Sequence, residues 1–395
     1  MERVVDPTKE EGRRRYEEDV PSRTDRLVSL AFTLTSLVLP LYKLMQMKDM
    51  QTPTNGVSTP ESRSSSRRSS HFHSSRYPPG SLASTRRRSA LRSLSKRKIP
   101  QSTPLEETLD PAKAALLTQK QWSLYSVTPM YKFSYTRLKE YSRHLSAYIA
   151  AEKQKGLAIE LGSDLNLKAT FSSLPGLKGK DSDPLALLIQ ISSKPPLTQA
   201  GAQDRIVWTG WFCGTYAEDD VLEGIPETFT CLPLFLYNGA EALTALVGTW
   251  FQRNFDCCFG KLLISSQDLA WFAAMWTGCE VHGRMKNTEL IFSLPVEPHL
   301  SVSYGIKTED LKTLWNDIHK SQDEVTLEEV EHLFQCLCSH FFRHFRIHLS
   351  VTHLVKVTAS VASAHREGKV KFFSKDFLVR VLGFITELAM NNIQY

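Results

Sequence analysis

The sequence is poor in the signals that mark enzymes and membrane proteins. Its 395 residues contain no GxSxG motif, no HExxH motif and no CxxC pair. The apolar run 27–42 is sixteen residues long and is interrupted by serine, threonine and proline, whereas a membrane-spanning helix needs about 20 predominantly apolar residues. No small-residue cleavage site follows the run, which argues against a secretory signal peptide. These absences predict a protein that is not an enzyme, needs no cofactor or metal, and has no membrane span.

Cysteine usage indicates a reducing compartment. The seven cysteines are an odd number and lie mostly within apolar runs: Cys213, Cys231, Cys257, Cys258, Cys279, Cys336 and Cys338. Secreted proteins of this kind would pair their cysteines at regular spacings. We therefore expect reduced, buried thiols in an intracellular protein.

Acidic residues are almost absent between residues 51 and 100. This segment has eleven Lys and Arg residues against the single acid Glu61, so its net charge is +10. Since the whole chain has a net charge of +6, the remainder carries 6 − 10 = −4. It also holds fourteen serines and few bulky apolar side chains, a composition typical of disordered chains. The clusters around Ser69 and Ser89 are suited to nuclear import, phosphate contacts or phosphorylation by basophilic kinases. A merely solvated run of charge explains them equally well.

Beyond residue 100 the hydrophobic period alternates between that of helices and that of strands. The central stretch 238–276 predicts two helices with large aromatic faces, the second ending at Gly278, packed on a sheet. Other helices are predicted at 110–122, 134–156, 308–318, 326–341 and 375–390, and strands at 157–161, 165–171, 185–191, 206–216, 228–236, 288–294, 300–306, 345–352, 355–361 and 370–372. Short consecutive strands favour antiparallel pairing. The pattern predicts an α+β fold of mostly antiparallel, curved sheets with helices on their faces and a disordered basic N-terminal tail.

Basic side chains recur on the polar faces of the C-terminal strands. If strands pair sequentially, one side of a sheet would carry the candidate phosphate contacts Arg205, Arg343, Arg346, Lys356, Lys369 and Lys371. Such a row could bind a DNA backbone without reading base sequence. The alternative is ordinary solvent-facing charge. Exposed strand edges are a second candidate surface, because a partner strand can extend an antiparallel sheet.

Two patterns resemble small-ligand sites. His332, Cys336, His340, His344 and His348 recur at every fourth position, but residues at that spacing drift around a helix and the neighbouring face is apolar, so we interpret them as boundary residues. Between Gly176 and Asp181 the glycines are separated by two residues, where a phosphate loop has four. We predict a polar loop there and no metal site at the histidines.

Several segments together resemble the centromere protein L family, whose members are subunits of the constitutive centromere-associated network of the inner kinetochore. The resemblance covers about residues 97–395 and is carried by residues 98–101, 121–160, 207–213, 229–236, 238–241, 248–252, 273–277, 339–345, 347–350 and 360–365. It implies a nuclear, non-enzymatic protein at the centromere and kinetochore that forms a heterodimer with centromere protein N. It further implies links to centromere protein C and other inner-kinetochore subunits, to nucleosomes that contain the variant histone H3, and to DNA.

These observations predict a leader and basic tail over residues 1–100 and a globular α+β region over 101–395, with room for an N-lobe 101–298 and a C-lobe 299–395. The favoured function is a scaffold in kinetochore assembly and chromosome segregation. One rival is a standalone, nonspecific DNA-binding protein that acts through its basic tail. Another is a metal-dependent enzyme built on the histidine series.

Overall fold

The computed structural model describes residues 96–100, 111–155, 166–180, 182–194, 204–215, 225–279, 285–294, 300–321 and 324–393. The predicted tail therefore lies outside the described residues, except for its last five. Within the described residues, the helices are α1 (Pro111–Gln119), α2 (Leu138–Gln154), α3 (Glu241–Phe255), α4 (Ser266–Thr277), α5 (Thr308–Ile318), α6 (Leu327–Phe345) and α7 (Leu378–Ile393).

The described part of the chain also contains fifteen strands. They are β1 (Lys96–Lys98), β2 (Gln121–Val127), β3 (Met130–Tyr131), β4 (Asn166–Leu174), β5 (Ala186–Lys194), β6 (Arg205–Cys213), β7 (Phe229–Thr230), β8 (Leu234–Asn238), β9 (Phe259–Lys261), β10 (Asn287–Leu294), β11 (Leu300–Lys307), β12 (Glu324–Thr326), β13 (His353–Thr358), β14 (Ala362–His365) and β15 (Lys369–Phe372). Eleven of them form one sheet in the order β11-β10-β13-β14-β15-β2-β8-β6-β5-β4, with β9 also paired to β2. Every registered pair is antiparallel. The α+β prediction is confirmed.

Different faces of this sheet are covered in its two halves. On the front face, α2 and α3 pack over the half from β8 to β4 and bury aromatic and aliphatic side chains such as Phe171, Phe212 and Phe235. On the back face, α4 packs on β13 and β14, and α7 packs on β2 and β8, where Trp122, Val357 and Val370 are buried. Since side chains alternate between faces along a strand, the front face from β10 to β15 carries mostly polar residues, together with Ile291 of β10.

The front core is dominated by aromatic contacts between the two helices and the sheet. The Tyr141 ring of α2 lies 5.2 Å from Phe255 and 6.2 Å from Trp250, both on α3. The Phe251 ring lies 4.8 Å from Phe212 on β6. Such edge and tilted arrangements are favoured by ring quadrupoles and bury large areas. The prediction that 238–276 forms two helices on the sheet is confirmed, but α3 covers the front face and α4 the back.

Trp122 belongs to β2, and the prediction that it ends the first helix was wrong. Its ring is fully buried 5.7 Å from Trp211, and its Nε1 donates a hydrogen bond to the Leu117 carbonyl at 2.8 Å. Helix α1 ends at Gln119, and the indole then satisfies a carbonyl of its last turn. The burial that β2 gains between β15 and β8 outweighs the weak local preference for helix.

The predicted strand at 345–352 was also wrong. Helix α6 continues to Phe345, and a single 3-10 turn spans Leu349–Val351. Residues 341–347 belong to a second compact unit. Within its described part, Arg346 adopts a left-handed φ of 57° and its amide donates to the Phe342 carbonyl at 2.8 Å. The short alternation read as a strand is thus the end of a helix, which a left-handed residue terminates.

The first arm of the predicted hairpin, 157–161, lies outside the described residues. Its expected partner, β4, pairs with β5 over nine residues, from Asn166 opposite Lys194 to Leu174 opposite Ala186. The predicted lobe boundary at 298/299 falls between β10 and β11, which are neighbours in the large sheet. The lobe division stays a prediction.

Candidate nucleic-acid interface

The front face of β13 to β15, on which no helix of the described residues packs, carries a transverse row of basic side chains. Lys356 on β13 pairs in register with His365 on β14, and His365 with Lys369 on β15. Lys371 lies two residues further along β15, on the same face. The structure therefore brings together three of the predicted phosphate contacts, Lys356, Lys369 and Lys371.

Two of these lysines are already paired with carboxylates. Lys356 Nζ lies 3.3 Å from Glu289 Oε2 on β10, and Lys369 Nζ lies 2.7 Å from Glu367 Oε2 in the turn before β15. Lys371 Nζ lies 5.7 Å from the Phe373 ring centroid, and no carboxylate of the described residues lies within ion-pair distance of it. Lys371 is thus the cation most readily offered to an external phosphate, because the other two must first leave their carboxylates.

His365 lies in the middle of the row and is biased toward its neutral form. Partial burial lowers the pKa of His365, Lys369 and Lys356 lower it further, and the Glu367 carboxylate opposes them. The pKa of Glu367 is lowered by its hydrogen bond from Lys369 and by that cation's charge. Near neutral pH His365 therefore adds hydrogen-bonding capacity to the row but little positive charge.

The three predicted arginines are not members of this row. Arg205 begins β6, which β2 and β8 separate from β15. Arg343 lies in the last turn of α6, and Arg346 follows that helix with its guanidinium 5.8 Å from the Phe342 ring. The expectation that Arg346 sits on the polar face of a strand is wrong, because the helix extends to its predecessor. Sequential pairing failed for Arg205 because β2, from early in the chain, enters the sheet between β15 and β8.

Two further side chains near the row were missed in the sequence. His365 alternates with Ala362 and Ala364 on β14, and that period of two is a signal that could have identified it. Lys261 on β9 pairs in register with Tyr125 on β2 and helps to lower the pKa of Glu367. Nothing in the sequence marks Lys261, because β9 is only three residues long and is separated from the end of α3 by only three residues.

The two edges of the large sheet differ in how their backbone groups are satisfied. At β4, the amides of Ala169 and Phe171 donate to Ser146 Oγ at 2.9 Å and Ser142 Oγ at 3.0 Å, both on α2. Each serine hydroxyl in turn donates to the carbonyl four residues earlier in its helix, at 2.7 and 2.8 Å. At the other edge, β11 pairs only with β10 within the described residues, and its Ser301, Ser303 and Gly305 are exposed. Edge β4 is closed to a further strand by its helix, whereas β11 offers a template for one.

Neither ligand-like sequence pattern forms a site in the described residues. The Gly179 and Lys180 amides, which a phosphate loop would offer to its ligand, donate to Asp183 Oδ2 at 2.8 and 3.0 Å. His340 Nδ1 is hydrogen-bonded to the Tyr304 hydroxyl at 2.8 Å. Across the described ranges, no group of three His, Cys, Asp or Glu side chains is placed to hold a metal ion. No helix in those ranges is both long and apolar enough to span a bilayer.

Comparison with known proteins identifies relatives along most of the chain. A family model described as centromere protein L matches residues 116–390. Centromere protein L of Xenopus tropicalis is 64% identical over 88% of this chain and 100% of its own length. The human protein of that name is 53% identical over 76% of this chain and 87% of its own length, and that of Danio rerio is 42% identical over 71% and 78%. The chain belongs to the centromere protein L family.

Proposed function

We propose that this chain is a non-enzymatic scaffold subunit of the inner kinetochore. It forms a heterodimer with centromere protein N, contacts centromere protein C and other inner-kinetochore subunits, and helps link nucleosomes containing the variant histone H3 to kinetochore assembly and chromosome segregation in the nucleus. Membership of the centromere protein L family supports the centromere and kinetochore role. The division of the sheet into two covered halves and one open basic face is the observation that carries the physical proposal.

The open front face is the proposed DNA-contacting surface. Lysines that project from neighbouring strands can attract phosphates without reading bases. Each phosphate that a lysine neutralises adds about 0.9 to the steepness of the slope of log K against log salt concentration. A chain with Lys356, Lys369 and Lys371 all changed to Ala should lose up to about 2.7 from that slope. Its complex with centromere protein N should still form, because the lysines lie on the sheet face and not along its edge.

The experiment is a duplex-DNA titration of that complex at several salt concentrations. Lys168→Ala is the matched control, because this exposed lysine lies on β4, at the far edge of the sheet. The single variant Lys371→Ala should have the largest effect of the three singles, since its cation lacks a carboxylate partner among the described residues. An unchanged slope in the triple variant would remove the front face from the proposal.

Strand β11 is the proposed edge for the heterodimer. Its support is the asymmetry between edges: Ser142 and Ser146 occupy the outward amides of β4, while β11 has no second neighbour in the described part of the chain. A photo-crosslinking residue at Ser301 or Ser303 should capture centromere protein N. The same residue at Lys168 or Thr170, both exposed on β4, should not. Capture from β4 alone would place the partner elsewhere.

The rival function, DNA binding through the basic tail, has its own test. Deleting residues 51–90 removes seven of the segment's basic residues upstream of β1 without touching the described fold. A tail-driven protein should lose most of its salt slope on this deletion. The scaffold proposed above should retain the part of the slope that the three lysines supply.

A further inference from the structure

Strand β1 and the two residues after it dock on the back-face helices as a short extended segment. The backbone pairing is short, with Lys96 opposite Thr326, Arg97 opposite Val325 and Lys98 opposite Glu324 on β12. Two-stranded pairs of this size are marginal in water by themselves. Side-chain contacts must therefore supply most of the docking.

Arg97 makes the principal contact. Its side chain is only 5% exposed, and Nη1 lies 2.8 Å from Glu387 Oε2 on α7. The guanidinium carbon lies 3.8 Å from the Phe384 ring centroid and 5.3 Å from that of Trp271 on α4. A planar guanidinium can stack on an aromatic ring while it donates to a carboxylate, and a lysine ammonium cannot reproduce both contacts.

The neighbours of Arg97 indicate that the site recognises the arginine side chain itself and not the positive charge of the segment. Lys96 and Lys98 are exposed on either side of the buried Arg97, as expected for alternation along a strand. Among the described residues, the carboxylate near Lys96 is that of Glu324, at 3.4 Å, in a pair that is about half exposed. Both lysines contribute little to docking, because exposed ion pairs are weak.

Ile99 and Pro100, two and three residues after Arg97, make the next contacts with this surface. A Cβ added to Gly278 would lie 3.0 Å from Ile99 Cδ1 and 3.2 Å from Trp315 Nε1, so Ile99 fills space that only a glycine leaves at the end of α4. Cys279 Sγ then lies 3.3 Å from the Pro100 carbonyl oxygen, as a weak donor to it. The receptor surface thus recognises an arginine, an aliphatic side chain two residues later, and the next carbonyl.

We propose that the groove between β12, α4 and α7 is a recognition site for extended peptides with an arginine followed two residues later by an aliphatic side chain. Residues 96–100 of this chain occupy the groove as a releasable ligand in cis. Strand addition combined with a side-chain pocket is a general mode of peptide recognition. Because residues 96–100 belong to the same chain as the groove, their effective concentration is on the order of millimolar. The groove is therefore filled in the intact chain, and a competing peptide must displace the segment.

The first test uses the full-length chain with Arg97→Ala and a fluorescent peptide of residues 92–101. The variant should bind the peptide at least about tenfold more tightly than the wild-type chain does, because its own segment no longer competes. A full-length Lys98→Ala chain is the matched control: it loses the same charge but should bind the peptide as poorly as wild type. Substitutions in the peptide itself should also lower its affinity for the groove. The affinity should fall at least about 30-fold for the Arg97→Ala peptide and about tenfold for the Arg97→Lys peptide, but less than about threefold for the Lys98→Ala peptide.

A second test needs no substitution in the groove. A protease site inserted between Gln101 and Asp110 of the full-length chain is cut after folding. The N-terminal fragment should remain bound, be displaced by excess wild-type peptide, and resist displacement by the Arg97→Ala peptide. The proposal is overturned if the fragment leaves at once and does not rebind, or if both peptides displace it equally. It is also overturned if the Arg97→Ala chain keeps its circular dichroism spectrum yet fails to bind the peptide; should that chain not fold, the cleavage experiment decides.

Discussion

Replacing the two serines of α2, Ser142 and Ser146, changes the free energy of unfolding in two opposite directions. Helix propensity predicts stabilisation, and loss of the hydrogen bonds to β4 predicts destabilisation. In an isolated helix, changing Ser142 and Ser146 to Ala would be stabilising by about 0.5 kcal/mol each, because alanine is the better helix former. In this protein each hydroxyl also accepts the amide hydrogen of a buried β4 residue, Ala169 or Phe171. An unsatisfied buried amide costs about 1–3 kcal/mol. The double variant should therefore lose about 1–5 kcal/mol of unfolding free energy.

Urea denaturation of the double variant, followed by circular dichroism, measures this difference. His144→Ala is the matched control, since His144 is exposed on the same helix and its replacement keeps both hydroxyls. It should be neutral or slightly stabilising. Hydrogen exchange at Ala169 and Phe171 should accelerate in the double variant and stay unchanged in the control. A double variant as stable as wild type, or more stable, would refute the idea that α2 closes the β4 edge.

Four other substitutions have expected outcomes. Gly248→Ala on α3 should stabilise the fold by about 0.5–1 kcal/mol in thermal denaturation, because a Cβ there meets nothing within 4 Å; Gly368→Ala should instead destabilise it by more than about 1 kcal/mol, since Gly368 has a φ of 73° and its Cβ would strike the Leu262 carbonyl. Burial raises the pKa of Glu329, but hydrogen bonds from the capping box and from Lys320 outweigh it and leave the pKa below the usual 4.5; this contribution to stability is present above that value and is lost as pH falls through the folded-state pKa, so Glu329→Gln should flatten the acid limb of a stability–pH curve. Glu289→Gln should tighten DNA binding and steepen its salt dependence in a filter-binding assay, because it releases Lys356 from its ion pair; weaker binding would contradict the assignment of that lysine to the DNA-contacting face.

Local patterns in the sequence predict the elements well where burial and period agree. The three-and-four spacing in 241–255 marks α3, and Thr326 and Glu329 form the expected capping box, with the Thr326 amide donating to the Glu329 carboxylate at 2.8 Å. The lysine row follows from alternation on β13 and β15, so three of its members could be named before the structure. Their role in DNA binding stays a prediction.

What local patterns cannot supply is the order of strands. The insertion of β2 beside β15 depends on the burial of Trp122 against Trp211, a contact made far from either residue in sequence. That insertion separates Arg205 from the lysines and turns a predicted helical residue into a strand residue. The closed and open edges escaped prediction for the same reason, because the acceptor atoms of Ser142 and Ser146 belong to a helix that meets β4 only in three dimensions.

The position of β2 also has a consequence for how the chain is made. Ser123, which leaves the ribosome early, pairs with Lys369, which leaves it near the end. The strand that lies between both halves of the sheet must therefore wait for almost all of synthesis before one of its two flanks is filled. Contacts between segments so distant in sequence slow folding and leave apolar surface uncovered meanwhile. Premature termination before β15 should yield an aggregating product instead of a shorter functional one, and nascent chains of this family should depend on chaperones until the final strands emerge.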